Sequence, residues 1–180
     1  MKRFCALTAV ALLAAALPCG AEQGGGSMPF TIVSSSFSPG ESIPRDFTAD
    51  GGDSSPPLAW QNVPVGTRAF ALICEDPDAP AGTWVHWLIW NLPASARTLP
   101  QCVPATRTLT DGSAQGKNDF GRIGWGGPSP PAGKPHRYFF RLYALKEKLT
   151  LPPNASRKEL EFAMRGLVIA TAEVFGTYKR

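Results

Sequence analysis

The two histidines of this chain each stand beside acids, prolines or glycines. His86 follows the run Asp76-Pro77-Asp78-Ala79-Pro80, and His136 follows Gly126-Gly127-Pro128-Ser129-Pro130-Pro131. Each cluster abuts an apolar run, WVHWLIWNL or HRYFFRLYAL, rich in aromatic and β-branched residues. Both imidazoles are therefore expected on strands, with Asp76, Asp78, Pro80 and the prolines 128–131 shaping the adjoining loops.

Residues of these types can bind a phosphate-type anion. Such a ligand requires directed donors and a wall that excludes water, because water competes for every exposed hydrogen bond. A carboxylate does not attract an anion, but by accepting one imidazole N–H it fixes the ring and favours a donor on the other nitrogen. On this reading His86 and His136 are direct ligands and Asp76 and Asp78 orient them. The Tyr138 hydroxyl is a neutral donor, and Trp84 and Pro131 are walls.

The same residues also permit plainer roles. Either histidine alone suits a hydrogen-bonded structural position, the Asp-Pro pairs suit turns, and Trp84, Trp87 and Trp90 suit a buried strand. Two His and two Asp would also suit a divalent metal, although no H-E-x-x-H or paired-cysteine spacing accompanies them. Serine hydrolysis lacks a G-x-S-x-G elbow, and GGPSPP lacks the Lys-Ser/Thr ending of a phosphate loop. The expectation is a binding protein with no cofactor rather than an enzyme. A protein inhibitor of a protease or kinase and a metal-assisted hydrolase are the alternatives.

The elements that must carry these residues read as mainly β. Short apolar runs at 30–33, 69–74, 85–92 and 138–145 are separated by Gly, Pro, Ser and Asp. In the last of them Phe140, Leu142 and Ala144 form an apolar face, while Phe139, Arg141 and Tyr143 form a mixed, partly covered one. Residues 93–124 show little periodicity and read as an unusually long loop. Ser156 with Glu159 predicts a capping box that opens a helix over 157–165, and 168–178 predicts a final strand.

The start of the chain reads as a signal peptide over 1–21, with Lys2 and Arg3, an apolar run and small residues before Glu22. The apolar run is shorter than the roughly 20 residues of a membrane span. Pro18 before Cys19 disfavours a lipoprotein cleavage site. A flexible leader follows over 22–28, then a single domain over 29–180, and the expected location is the periplasm or the exterior. Cleavage removes two basic residues, lowering the formal charge of +4 by two. No basic run interleaves with aromatics, so nucleic-acid binding lacks its electrostatic footprint. Of four cysteines, Cys74 and Cys102 remain, either paired or as separate thiols.

Several ordered motifs carry a resemblance: residues 37–44 (FSPGESIP), 55–60 (SPPLAW), DPDAP, His86-Trp87, 115–121 (QGKNDFG), GGPSPP, HRYFFRLYAL and 172–178 (AEVFGTY). Together they resemble the phosphatidylethanolamine-binding protein (PEBP) family, also called Raf kinase inhibitor-like proteins, in its bacterial YbhB/YbcL branch. The resemblance implies a central antiparallel β-sheet, a second smaller sheet, few peripheral helices and an anion pocket at one end of the large sheet. Matched residue by residue, the family pocket falls on Asp76, Asp78, Pro80, Trp84, His86, Pro130, Pro131, His136 and Tyr138. It implies a phosphate-type small molecule or phospholipid headgroup as ligand, and is compatible with a protein target and a homodimer. Ala49 and Leu167 depart from residues often found in bacterial relatives. The chain stops soon after Tyr178, without the C-terminal helix of animal members.

Overall fold

The alternation in HRYFFRLYAL sets one strand at the heart of the molecule. In the computed structural model, which describes residues 28–180, this strand is β7 (His136–Leu145). Its even positions Tyr138, Phe140, Leu142 and Ala144 are buried, whereas Phe139, Arg141 and Tyr143 are half-buried. β7 pairs antiparallel with β3 (Ala69–Asp76) on one side and β8 (Val168–Tyr178) on the other. β3 also pairs with β4 (Trp84–Pro93), and β4 with the short β6 (Ala114–Gln115). The result is a five-stranded antiparallel sheet in the order β6-β4-β3-β7-β8. A second sheet, in the order β1-β2-β5, contains β1 (Thr31–Ser34), β2 (Leu58–Gln61) and β5 (Thr98–Leu99). The fold is mainly β, as expected.

Every residue of β3 is buried, because both faces of the large sheet are covered. On one face Phe70, Leu72 and Cys74 pack with Trp87, Phe140 and Leu142 against Ile32, Leu58 and Trp60 of the small sheet. On the other, Ala71, Ile73, Leu88 and Trp90 pack against Leu160 and Met164. Those last two come from the helix α1 (Arg157–Ala163) and its C-cap, and the capping box of Ser156 and Glu159 is present. The helix ends before residue 165, where Gly166 turns left-handed at φ 70°. Glu75, buried on β3, pairs with Arg141 of β7 and with Arg157 of α1 at 2.8 Å, fastening the helix to the sheet.

β2, β5 and β6 were not anticipated, since strands of two to four residues are too short for a period of two to show. The segment 93–124, read as a loop, contains β5 and β6 and is organised by a buried amide. Gln115 accepts from Trp87 Nε1 at 2.7 Å and donates to the carbonyls of Pro104 and Thr106 at 2.8 Å each. Cys74 and Cys102 are separate thiols: Cys74 lies in the core, where burial raises its pKa, and Cys102 is exposed beside Ser54. The signal peptide and the leader as far as residue 27 fall outside the described residues. Among the described residues no helix is long and apolar enough to cross a membrane.

Candidate functional site

His86 owes its position to a break in the β3–β4 ladder. Cys74 pairs with Trp87 and Glu75 with Val85, so the register passes over His86. A bulge of this kind leaves the extra residue unpaired and re-aims its side chain. The freed carbonyl of His86 accepts the Gly126 N–H at 3.0 Å, and His86 Nδ1 bonds the Gly126 carbonyl at 2.5 Å. A carbonyl only accepts, so Nδ1 carries the proton and Nε2 is left for the pocket. Burial lowers the pKa of His86 below its ordinary value, which favours the neutral ring.

The strand that carries His86 is sewn to the segment after β6. Val85 N–H donates to Asp119 Oδ2 at 2.7 Å, and Asn118 Nδ2 donates to Gly124 O at 2.9 Å. Gly127 donates its N–H to Asp53 Oδ1 at 2.6 Å. A Cβ on Gly127 would sit 2.6 Å from Ala49 N and 2.7 Å from the carbonyl carbon of Thr48, so this close approach of backbones requires glycine.

His136 opens β7 and faces the end of β3. Its Nδ1 donates to Asp76 Oδ2 at 2.7 Å, while Asp76 Oδ1 accepts the Asp78 N–H at 2.8 Å. One buried carboxylate thus orients an imidazole and holds the turn after β3. Asp78 does something different from what the sequence suggested. Its carboxylate takes Arg137 in a two-bonded fork, Nε at 2.9 Å and Nη2 at 2.7 Å, and accepts the Arg137 N–H at 3.0 Å. The Arg137 partner lowers the Asp78 pKa to about 2. The orienting role therefore belongs to Asp76 alone, and Asp78 anchors the start of β7.

These elements enclose a cavity of about 310 Å³. It is lined by Asp76, Ala79, Pro80, Ala81, Trp84, His86, Phe120, Ser129, Pro130, Pro131, His136 and Tyr138. Eight of the nine residues anticipated from sequence meet there, and Asp78 lies outside the lining. Tyr138, 1% exposed, has its phenol pKa raised by burial, so its hydroxyl remains a neutral donor. Its ring meets His86 edge-on at 5.1 Å between centroids. Phe120 was missed: it meets both Trp84 and His86 edge-on, at 5.5 and 5.2 Å, and completes an aromatic wall. It lies within the QGKNDFG motif, but nothing in a lone Phe between Asp and Gly signals a wall. Ser129 was also missed as a lining residue; its hydroxyl donates to Asp50 Oδ1 at 2.7 Å, and Tyr178 OH donates to the other oxygen at 3.1 Å.

The lining contains no Lys or Arg, so with neutral imidazoles its formal charge is that of Asp76. Among the described residues no group of three or more His, Cys, Asp or Glu is gathered where it could hold a metal ion.

A family model described as phosphatidylethanolamine-binding protein matches residues 33–179. The chain belongs to the phosphatidylethanolamine-binding protein family. It is 49% identical over 151 residues to a UPF0098 protein of Aquifex aeolicus, covering 83% of this chain and 88% of that protein. The crystal structure of Escherichia coli YbcL, described as a member of the mammalian PEBP family, superposes with a TM-score of 0.77 at 38% identity. It covers 84% of this chain and 98% of YbcL. A PEBP homologue of Chlamydia trachomatis also superposes with a TM-score of 0.77, at 36% identity, over 84% of this chain and 97% of that one. In this PEBP-family chain the DPDAP, His86 and GGPSPP motifs and the start of β7 converge on the one cavity.

Proposed function

We propose that this PEBP-family protein binds a phosphate-type group, free or as a phospholipid headgroup, in the cavity between His86 and His136. The observation that carries this reading is the placement of two imidazoles on one cavity, each with Nδ1 already engaged and Nε2 left over. Proline and aromatic walls limit competition from water, and Tyr138 adds a hydroxyl donor. The pocket provides no activated nucleophile: Ser129, its one lining hydroxyl besides Tyr138, donates to Asp50 and has no imidazole partner. Binding without turnover is therefore the proposed activity.

Calorimetric titration with inorganic phosphate tests this. Saturable binding to the protein, weakened at least about tenfold in His136→Ala, supports the reading, since a charge-assisted hydrogen bond is lost. Equal affinity in both proteins would remove the cavity from the account. We further propose export with cleavage near Glu22, supported by the charged, apolar and small-residue order of the first 21 residues. The intact mass of the exported protein checks it, and retention of the first segment would contradict it.

A further inference from the structure

The cavity occupies one end of the large sheet, and the opposite end has a chemistry of its own. Asp76 closes β3 and His136 opens β7 at the cavity. At the other ends of these strands Ala69 pairs with Leu145, and Leu145 with Val168 of β8. The length of β3 separates the two ends by about 23 Å, at about 3.3 Å per residue. Five of the seven large hydrophobic side chains that the described residues expose gather at this far end: Met28, Val65, Phe162, Val168 and Ile169. Met28 and Val65 share a hollow with Ala170 of β8, and a Cβ on Gly66 would meet Ile169 Cδ1 at 3.9 Å. Phe162 of α1 lines a groove with Leu167, the residue before Val168.

Cations interleave with these side chains. Arg68 and Lys146 flank the paired strand ends, their N–H groups donating to the carbonyls of Leu145 and Leu167 at 2.7 and 2.9 Å. Lys148 and Lys158 line the groove beside Phe162, and Arg165 lies over the Phe162 ring at 5.0 Å. Among the described residues none of these five cations forms a salt bridge, unlike Arg137, Arg141 and Arg157. The acids nearby are fewer. Glu159 is taken up by the capping box and Glu161 by Arg157, which leaves Glu147.

We infer that the end of the molecule opposite the cavity docks on an anionic lipid surface, its unpaired cations meeting headgroups and Val65, Phe162 and Ile169 entering the interface. Exposed apolar side chains set among Lys and Arg are the features that hold a protein at such a surface. Their layout favours lipid over a folded partner. Val65, 98% exposed, stands on a turn, Met28 precedes β1, Val168 and Ile169 open β8, and Phe162 projects from α1. Anchors spread over four separate elements offer no single groove to a rigid mate, whereas headgroups and acyl chains rearrange around each of them. Docked in this way the cavity faces away from the bilayer, so the contact is independent of anion binding between His86 and His136.

Flotation of the exported protein with vesicles tests this, using phosphatidylcholine alone and an equimolar mixture with phosphatidylglycerol. The mixed vesicles are expected to carry the protein and the zwitterionic ones to leave it behind, with binding lost at about 0.5 M salt. Lys146→Gln combined with Lys148→Gln, both at exposed side chains, should weaken binding to the mixed vesicles at least about tenfold. Val65→Ser should weaken it about threefold or more. Affinity for inorganic phosphate, measured by calorimetry, should be unchanged in both variants. Equal flotation on the two kinds of vesicle, or undiminished flotation of both variants, would overturn the inference and leave anion binding intact. A protein that stays off the mixed vesicles and self-associates in sedimentation through these same residues would assign this end to a second copy of the chain, and would overturn it too.

Discussion

Asp76 and His136 face each other across the β3–β7 pair, with the carboxylate oxygen 2.7 Å from Nδ1. The other oxygen of Asp76 is committed to the Asp78 N–H, so both are needed as acceptors. Asn at this position supplies one carbonyl oxygen for two donors and removes the charge behind the imidazole. Asp76→Asn is therefore expected to fold, to lower the melting temperature and to weaken phosphate binding by about fivefold to thirtyfold, or about 1–2 kcal/mol. The loss should be smaller than in His136→Ala. Calorimetry on both variants checks the order, and unchanged affinity in Asp76→Asn would show that it does not support His136.

The Asp78–Arg137 fork makes a pH prediction whose sign is fixed. The carboxyl pKa falls from 3.8 to about 2 in the folded protein. The pair's stabilising contribution is therefore present above about pH 4 and is lost as pH falls through about 2. Carbon-detected NMR of the Asp78 carboxyl should give a midpoint near 2, moving up towards 3.8 in Arg137→Gln. A midpoint near 3.8 in the unsubstituted protein would contradict the fork.

His86 acts in the opposite range. Its folded pKa lies below the unfolded value of about 6.5, so the unfolded chain takes up a proton first. The associated stability is complete above about pH 7, falls as pH drops through 6.5, and levels off below the folded pKa. In phosphate-free buffer the melting temperature is expected to fall between pH 7.5 and 5.5. In His86→Asn, whose amide nitrogen can still donate to Gly126, that slope should shrink. The same slope in both proteins would assign it to other groups.

Much of the site was legible because it follows strand periodicity and turn chemistry. β7 and β4 were read from alternating or continuous apolar runs, and those strands carry Tyr138, His136 and His86. What stayed hidden depends on register and tertiary contact. The bulge that turns His86 towards Gly126 is a mismatch between two strands and has no signature within either. Asp78 and Asp76 are two residues apart and chemically identical, and only the arrival of Arg137 separates an anchor from an orienting group. Phe120 and Ser129 reach the cavity through connections whose paths are fixed by the buried amide of Asn118 and the half-buried carboxylate of Asp53.

The tight backbone approach at Gly127 predicts a coupled loss. Gly127→Ala places Cβ 2.6 Å from Ala49 N, so the chain must shift, at a cost of about 1–3 kcal/mol. Because neighbouring Gly126 holds the His86 ring, phosphate affinity should fall as well. Ser156→Ala at the α1 capping box is the contrast: about 1 kcal/mol of stability lost, with affinity unchanged. Urea melts and phosphate titrations on the two variants separate these outcomes. Unchanged affinity in Gly127→Ala would uncouple the glycine segment from the pocket.

The central claim, that His86 and His136 share one anion pocket through their Nε2 atoms, is tested most directly by nitrogen NMR of the histidine rings during a phosphate titration. The chain contains two histidines, so two ring systems suffice for the whole observation. At pH 8 without phosphate, His86 should show a proton on Nδ1 and a bare Nε2, and the His136 Nδ1 proton should carry the shift of a bond to a carboxylate. On adding phosphate, the Nε2 signals of both rings should move together along one binding curve, while both Nδ1 protons stay in place. Movement of one ring alone, or of neither at saturating phosphate, would contradict the shared pocket.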